Sequence, residues 1–226
     1  MTPELPFQAV IFDMDGLVLD SETGYFDAWQ QAAAEMGYSM DRAFCATLSG
    51  SHGPEISQRL LARFGTDFGL ERFYRLSGRY WREQVQRAGI PVKQGFFEVL
   101  QWLADLRIPY CLATNSRRAD AEQCLTWAGL DGVFELVITR EDVVRSKPAA
   151  DIFLKAAEVL NIRPRLCLVL EDSPIGVRAA VAAGCACLFI PSQLPADTEA
   201  SRLANGVMPD LWAVADFISA GFDHPL

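Results

Sequence analysis

Two acids behind an apolar run, Asp13 and Asp15 in V-I-F-D-M-D-G-L from Val10, are the residues of this chain best placed to do chemistry. In an extended segment, residues two apart project to the same side. One carboxylate can then serve as nucleophile and cation ligand, while the other lends its side chain to proton transfer and its backbone carbonyl to the cation. An acid that attacks phosphorus must approach a group that is itself negative, and a divalent cation offsets the repulsion. Mg²⁺ suits the task because it takes hard oxygen ligands from one or two carboxylates, from water and from a substrate phosphate. Gly16 lets the chain turn away tightly. The plainer reading, an acidic pair capping the next element, stays open on this stretch alone.

Further candidates stand behind other apolar runs. Thr114, Asn115 and Ser116 offer a hydroxyl and backbone N–H groups at a helix start, where phosphate oxygens are well received. Ser116 reads equally well as the N-cap of that helix. Glu171 and Asp172, followed by Ser173 and Pro174 at another helix start, place acids where a cation beside Asp13 would lie, although capping would explain Asp172 alone. Lys147 precedes Pro148, so a rigid turn can aim its ammonium at the same crevice. With only His52 and His224 in the chain, a multi-histidine metal site is hard to build.

The elements that must position these residues follow from periodicity. A-V-I-F at 9–12, Y-C-L-A at 110–113, L-V-I at 136–138, L-C-L-V-L at 166–170 and A-C-L-F-I at 186–190 read as strands buried on both faces of a parallel sheet. Helical patterns separate them: 94–106, with Phe97, Leu100, Leu103 and Leu106 on one face, then 151–160 and 174–183. Such alternation predicts an α/β core with ligands beyond the carboxyl ends of the strands, where Asp13 and Asp15 fall. From Ser21 to about Arg87 the pattern is amphipathic helix only, with Tyr25, Phe26, Trp29, Ala32, Ala33 and Met36 at helical spacing and Gly37 placed to end the helix. We therefore expect a core of 1–20 and 88–226 and a helical insert of 21–87, with the return through Gly89, Pro91 and Gly95.

Composition narrows the function. At 226 residues and net charge −9, the chain disfavours a nucleic-acid backbone as partner. No apolar run nears the roughly 18 residues of a membrane span, and the acidic N-terminus lacks the basic region of a signal peptide. A cytoplasmic protein without membrane partner is expected, as a monomer or weak homodimer. The six cysteines show no C-x-x-C pair and read as buried reduced thiols.

The order Asp13-x-Asp15-Gly16, Thr114-Asn115-Ser116, Lys147-Pro148 before a helix, and Glu171-Asp172-Ser173 resembles the four motifs of the haloacid dehalogenase superfamily. F-D-M-D-G-L-V-L-D-S-E, K-P-A-A-D-I-F-L-K-A-A and L-E-D-S-P-I-G-V-R-A-A resemble its β-phosphoglucomutase and sugar-phosphatase-like branch, and the resemblance spans essentially the whole chain. It implies a Rossmann-like parallel sheet core with an inserted all-helical, mobile cap domain. It further implies a Mg²⁺-dependent phosphatase acting on a small phosphorylated metabolite. Asp13 would be the nucleophile, Asp15 the acid and base, and Thr114 and Lys147 the catalytic phosphate holders. Asn115, Ser116 and Gly16 would bind substrate, and Asp13, Asp15, Asp172 and Glu171 would form the metal site. Asp15 points away from dehalogenation, whose members lack that pair.

The rival within the family is a sugar phosphomutase. Mutases commonly carry His at the position of Tyr25 and Arg after the cap's Leu-x-Gly turn, where this chain reads L-S-G-S-H-G-P-E-I. A non-enzymatic phosphate-binding or interaction protein would have lost a motif acid, whereas Asp13, Asp15, Lys147 and Asp172 are all present. Phosphonate cleavage needs a cap lysine, and none occurs between Ser21 and Val92. His52 reads either as a substrate contact or as a solvated loop residue, and Arg59, Arg63, Arg72, Arg75, Arg79 and Arg82 give the insert local cations. Hexose phosphates, polyol phosphates, phosphoglycolate and nucleotides all remain open as substrates.

Overall fold

The structure, a computed structural model, describes residues 6–48 and 53–219. Six strands form one parallel sheet: β1 (Ala9–Phe12), β2 (Tyr110–Ala113), β3 (Val137–Ile138), β4 (Cys167–Glu171), β5 (Ala186–Phe189) and β6 (Gly206–Val207), in the order β3-β2-β1-β4-β5-β6. β1 lies in the middle, with Ile11 opposite Cys111 on one side and Val169 on the other. All four of its residues are fully buried, the signature of a strand covered on both faces. The strand order reverses between β1 and β4, so the crevice beyond their carboxyl ends is the place where this topology binds ligands.

The covering helices are α5 (Phe96–Asp105), α6 (Arg118–Trp127), α7 (Asp151–Leu160), α8 (Pro174–Ala182), α9 (Thr198–Leu203) and α10 (Leu211–Ser219). Ile152, Phe153, Ala156 and Ala157 of α7 and Val177, Ala179 and Ala180 of α8 close one face over Ile11, Val169 and Cys187. Small residues at these positions let the helix backbones approach the sheet, and the remaining volume is filled by Phe153 and Phe189.

Several details differ from the sequence pattern. In α5 the buried stripe is Phe96, Val99 and Leu103, while Phe97 is 55% exposed. A run spaced by three slips about 60° per step around a helix of 3.6 residues per turn, so it cannot hold one face; alternating steps of three and four do. The helix start is pinned by Gly95, at φ 88°, where a Cβ would lie 2.2 Å from the Trp212 backbone nitrogen. β4 also runs one residue further than its apolar run, so that Glu171 is itself a strand residue opposite Phe189. The two-residue edge strand β6 is too short to leave a periodic signal.

Asp20–Ile90 forms a compact unit of its own. Its described residues contain four helices, α1 (Ser21–Glu35), α2 (Arg42–Leu48), α3 (Gly53–Phe64) and α4 (Leu70–Ala88), and no strand. Ala32, Ala33, Cys45, Leu48, Leu60 and Phe73 make its core, and Phe64, Phe68 and Tyr38 add an aromatic layer with centroids 5.0–5.3 Å apart.

Candidate active site

Asp13 is the first residue past β1, held in place by its own N–H donating to Leu170 O at 3.0 Å. Beyond it the chain folds back at once. Val18 and Leu19 N–H both donate to Met14 O, and Gly16 N–H donates to Leu19 O. Met14, Leu17, Val18 and Leu19 are buried under this turn, which anchors the two acids on a packed base. Gly16 has φ 87° and sits where a Cβ would come within 2.1 Å of Asp172 Oδ2, so glycine is required both for the turn and for the close approach.

Lys147 reaches the same point from the loop before α7. Its Nζ donates to Asp13 Oδ1, to Glu171 Oε1 at 2.6 Å and to Ala113 O at 2.9 Å, which uses all three protons of the ammonium. Asn115 fixes the base of this arm: Lys147 N–H donates to Asn115 Oδ1 at 3.0 Å, and Asn115 Nδ2 donates to Lys147 O at 3.3 Å. Asn115 is thereby tied to the Lys147 backbone, and its backbone N–H and second Nδ2 proton are what it can offer a ligand.

Glu171 is fully buried. Oε1 takes the lysine, and Oε2 accepts from Ser173 N–H at 3.2 Å and Ser173 Oγ at 3.0 Å. Ser173 in turn caps α8 by accepting from Gly176 N–H at 3.1 Å. A Cβ at Gly176 would lie 1.8 Å from the Glu171 carboxyl group, so this helix turn exists to seat that carboxylate. Asp172, 6% exposed, is therefore not the cap.

Asp15 is half-buried, with Oδ2 accepting from Ser116 Oγ at 3.0 Å. Ser116 is accordingly not the N-cap of α6, which begins at Arg118 behind Arg117 without a side-chain cap. Thr114 is buried; its N–H donates to Ile138 O, and its Oγ1 accepts from Ser116 N–H at 3.0 Å.

The electrostatics follow from burial. Desolvation pushes the Asp13 carboxyl up to about 8; Lys147 draws it back, while the charges of Glu171 and Asp15 push it further. Burial alone would lower the Lys147 ammonium, but Asp13 and Glu171 hold it well above the ordinary lysine range. Oxygen atoms of Asp13, Glu171 and Asp172 lie within 4.8 Å of one another. Burial, and then mutual repulsion, disfavours a full set of negative charges on three carboxyl groups beside one ammonium, which is why Asp13 is pushed up, and an all-oxygen donor set of this kind fits a hard divalent cation.

All the expected site residues of the core thus converge on one rim of the sheet. Ser173 and Gly176 also belong there. The sequence marks Ser173 only as a helix start, and nothing in it marks Gly176, whose role is a space left beside a residue of another element. In the helical unit, Tyr25 stacks on Trp81 with centroids 5.0 Å apart and planes 2° from parallel. Arg59 pairs with Glu55 and Arg79 with Glu35. Between α1 and α4 runs a polar groove of about 380 Å³ lined by Asp27, Gln30, Tyr80, Gln84 and Arg87, among others. His52 and the turn around it lie outside the described residues.

Residues 10–190 match the family model of the haloacid dehalogenase-like hydrolases. The chain belongs to that family. Among its relatives in the family, the fructose-1-phosphate phosphatase YqaB of Escherichia coli is 31% identical over 79% of this chain and 93% of its own length. A phosphorylated carbohydrates phosphatase of Thermotoga maritima is 31% identical over 78% of this chain and 82% of its own. A solved structure of a putative β-phosphoglucomutase from Thermotoga maritima superimposes with a TM-score of 0.81 at 25% identity, covering 95% of this chain and 99% of that one. This haloacid dehalogenase-like hydrolase is a phosphoric monoester hydrolase.

Proposed function

We propose that the enzyme is a Mg²⁺-dependent phosphatase that hydrolyses a small sugar-phosphate-like monoester through an aspartyl-phosphate at Asp13. The observation that carries this reading is the buried cluster of Asp13, Lys147, Glu171 and Asp172, with Asp15 accepting from the Ser116 hydroxyl. Two acids in such different surroundings suit two different roles.

Asp13 attacks phosphorus, forming an O–P bond as the bond to the leaving alcohol breaks. Asp15, protonated, gives its proton to that alcohol oxygen. Water then attacks the phosphorus of the acylphosphate and passes a proton back to Asp15, releasing phosphate and restoring the Asp13 carboxylate. Ser116 keeps Asp15 in one orientation through both halves. The Thr114 hydroxyl proton and the Asn115 backbone N–H would donate to the phosphoryl oxygens, and the Lys147 ammonium, with its protons already engaged, would act on them through its charge. Asp13, the Asp15 carbonyl and Asp172 would hold Mg²⁺, with Glu171 beside them fixing the ammonium; when bound, the ion supplies charge neutralisation between carboxylate and phosphate.

The sugar-phosphate class is supported by the likeness to a fructose-1-phosphate phosphatase and a phosphorylated carbohydrates phosphatase. Asp20–Ile90 would serve as the enzyme's helical cap domain. The partner we infer is a small phosphorylated metabolite in the cytoplasm, met by a monomer or weak homodimer. The charge of −9 argues against nucleic acid, and among the described residues no helix is long and apolar enough to cross a membrane.

The test is phosphate release from a panel of hexose, polyol and nucleotide monophosphates, with Mg²⁺ and with chelator. Turnover that needs the metal, with radioactive phosphate trapped on acid-quenched wild type and absent from Asp13→Asn, is the expected result. Turnover undiminished by chelator or by Asp13→Asn would overturn it. The structural likeness to a putative β-phosphoglucomutase keeps one second reading: conversion of a hexose 1-phosphate to its 6-phosphate without release would make the enzyme a mutase.

A further inference from the structure

The loop after β5 returns to this site. β5 runs beside β4, and Ile190 N–H donates to Glu171 O at 2.7 Å, which sets the following residues against the end of β4. There Ser192 comes up to Gly16. Its Oγ is 3.4 Å from the position a Cβ on Gly16 would take, and Asp172 Oδ2 is 2.1 Å from that same position. Ser192 is half-buried, and its hydroxyl makes no hydrogen bond among the described residues.

A serine hydroxyl both donates and accepts, and one half-sequestered beside a buried carboxylate with no protein partner is available to something small and polar. Because Gly16 has no side chain, Asp172 Oδ2 takes up the place a Cβ would occupy, and the Ser192 hydroxyl lies beside that same place. Mg²⁺ dehydrates reluctantly and keeps several waters when one or two carboxylates bind it. We propose that Ser192 is a further residue of the cation site, its hydroxyl steadying the hydration shell of a divalent cation beside Asp172. Ser192 is thus a positioning residue, and the assignment rests on reading the acidic cluster as a Mg²⁺ site. Groups that orient a metal's immediate surroundings are commonly worth 10–100-fold in affinity.

The experiment is titration of Mg²⁺ into metal-free protein, followed by the heat of binding, for wild type, Ser192→Ala, Ser192→Thr and Asp172→Asn. The expected result is no binding by Asp172→Asn, affinity reduced about tenfold in Ser192→Ala, and affinity near wild type in Ser192→Thr, which keeps the hydroxyl. Equal affinity of wild type and Ser192→Ala overturns the assignment and leaves the cation site standing. An equal loss in the alanine and threonine variants also overturns it, because packing and not the hydroxyl is then responsible. Absence of binding by wild type removes the cation reading itself, and the inference with it. Thermal melts separate these causes: Ser192→Ala melting as wild type without Mg²⁺ supports the proposal, and a melt lowered equally with and without Mg²⁺ overturns it.

Discussion

At the residue scale, the site is a contest over one ammonium. Lys147 is claimed by Asp13, Glu171 and the Ala113 carbonyl, and its charge is what allows acids to be buried together there. Replacing Asp13 by Asn keeps the shape, removes the nucleophile and should lower kcat by at least about 10³-fold in a phosphate-release assay. Gly176 is the sharper structural test, because its place is defined by a carboxyl group 1.8 Å from where a Cβ would be. Gly176→Ala should lower the urea midpoint by the equivalent of about 1–3 kcal/mol through overpacking, since Glu171 is fully buried and tied to Lys147 and Ser173. A midpoint matching wild type would show that Glu171 can move away at little cost. Asp13, Lys147 and Glu171 were legible in the sequence because their types already limit what they can do. The engagement of Asn115 with Lys147 and of Ser116 with Asp15 was not, because each pairs residues far apart in the chain whose distance the fold alone sets.

At the element scale, the site depends on how each strand ends. β3 is followed by Thr139, which caps a 3-10 turn over Arg140–Asp142 with a capping box: Asp142 Oδ2 accepts from Thr139 N–H at 2.7 Å and Thr139 Oγ1 at 2.8 Å, and Arg118 of α6 pairs with it at 2.7 Å. This turn opens the segment that delivers Lys147. Burial raises the Asp142 carboxyl, but the Thr139 hydrogen bonds and the Arg118 charge outweigh that and hold it below the ordinary carboxylate range. A depressed folded-state pKa contributes stability that is present above the unfolded value of about 3.9 and lost as pH falls through the lower folded value. Asp142→Asn should therefore cost a few tenths to about 1 kcal/mol at pH 7, a modest figure because the group is exposed and screened by solvent, and progressively less below pH 4, as read from urea unfolding at each pH. A deficit that stays constant down to pH 2 would rule out the charged form as its source.

At the scale of the whole molecule, the chain divides into an α/β unit and a helical unit, each with its own core. The six cysteines are free and buried. Desolvation pushes Cys45 up to about 11 and Cys124 and Cys185 up to about 12, so little thiolate exists at neutral pH even where reagent could enter. Labelling by a thiol reagent at pH 8 should be slow for all six in the native enzyme and complete on denaturation. Cys45, in the helical unit, should report the opening of that unit apart from the other five, by mass spectrometry of partially labelled protein in intermediate urea. Simultaneous labelling of all six at every denaturant concentration would show that the two units open as one.

The sequence by itself determined the parallel α/β core and its helical insert, because strands buried on both faces must be apolar throughout and amphipathic helices must carry a stripe. It also determined the chemical menu at the strand ends, where carboxylates, an ammonium, an amide and hydroxyls stand. Only the tertiary structure decided which oxygen meets which proton, that Glu171 lies within β4, that α5 buries Phe96 and not Phe97, and that Gly176 and Ser192 border the acids. The physical reason is one of range. Burial is an average over a residue's surroundings and leaves a mark in composition and period, whereas a hydrogen bond or a close backbone approach is decided within less than an ångström by the register of strands distant in the chain.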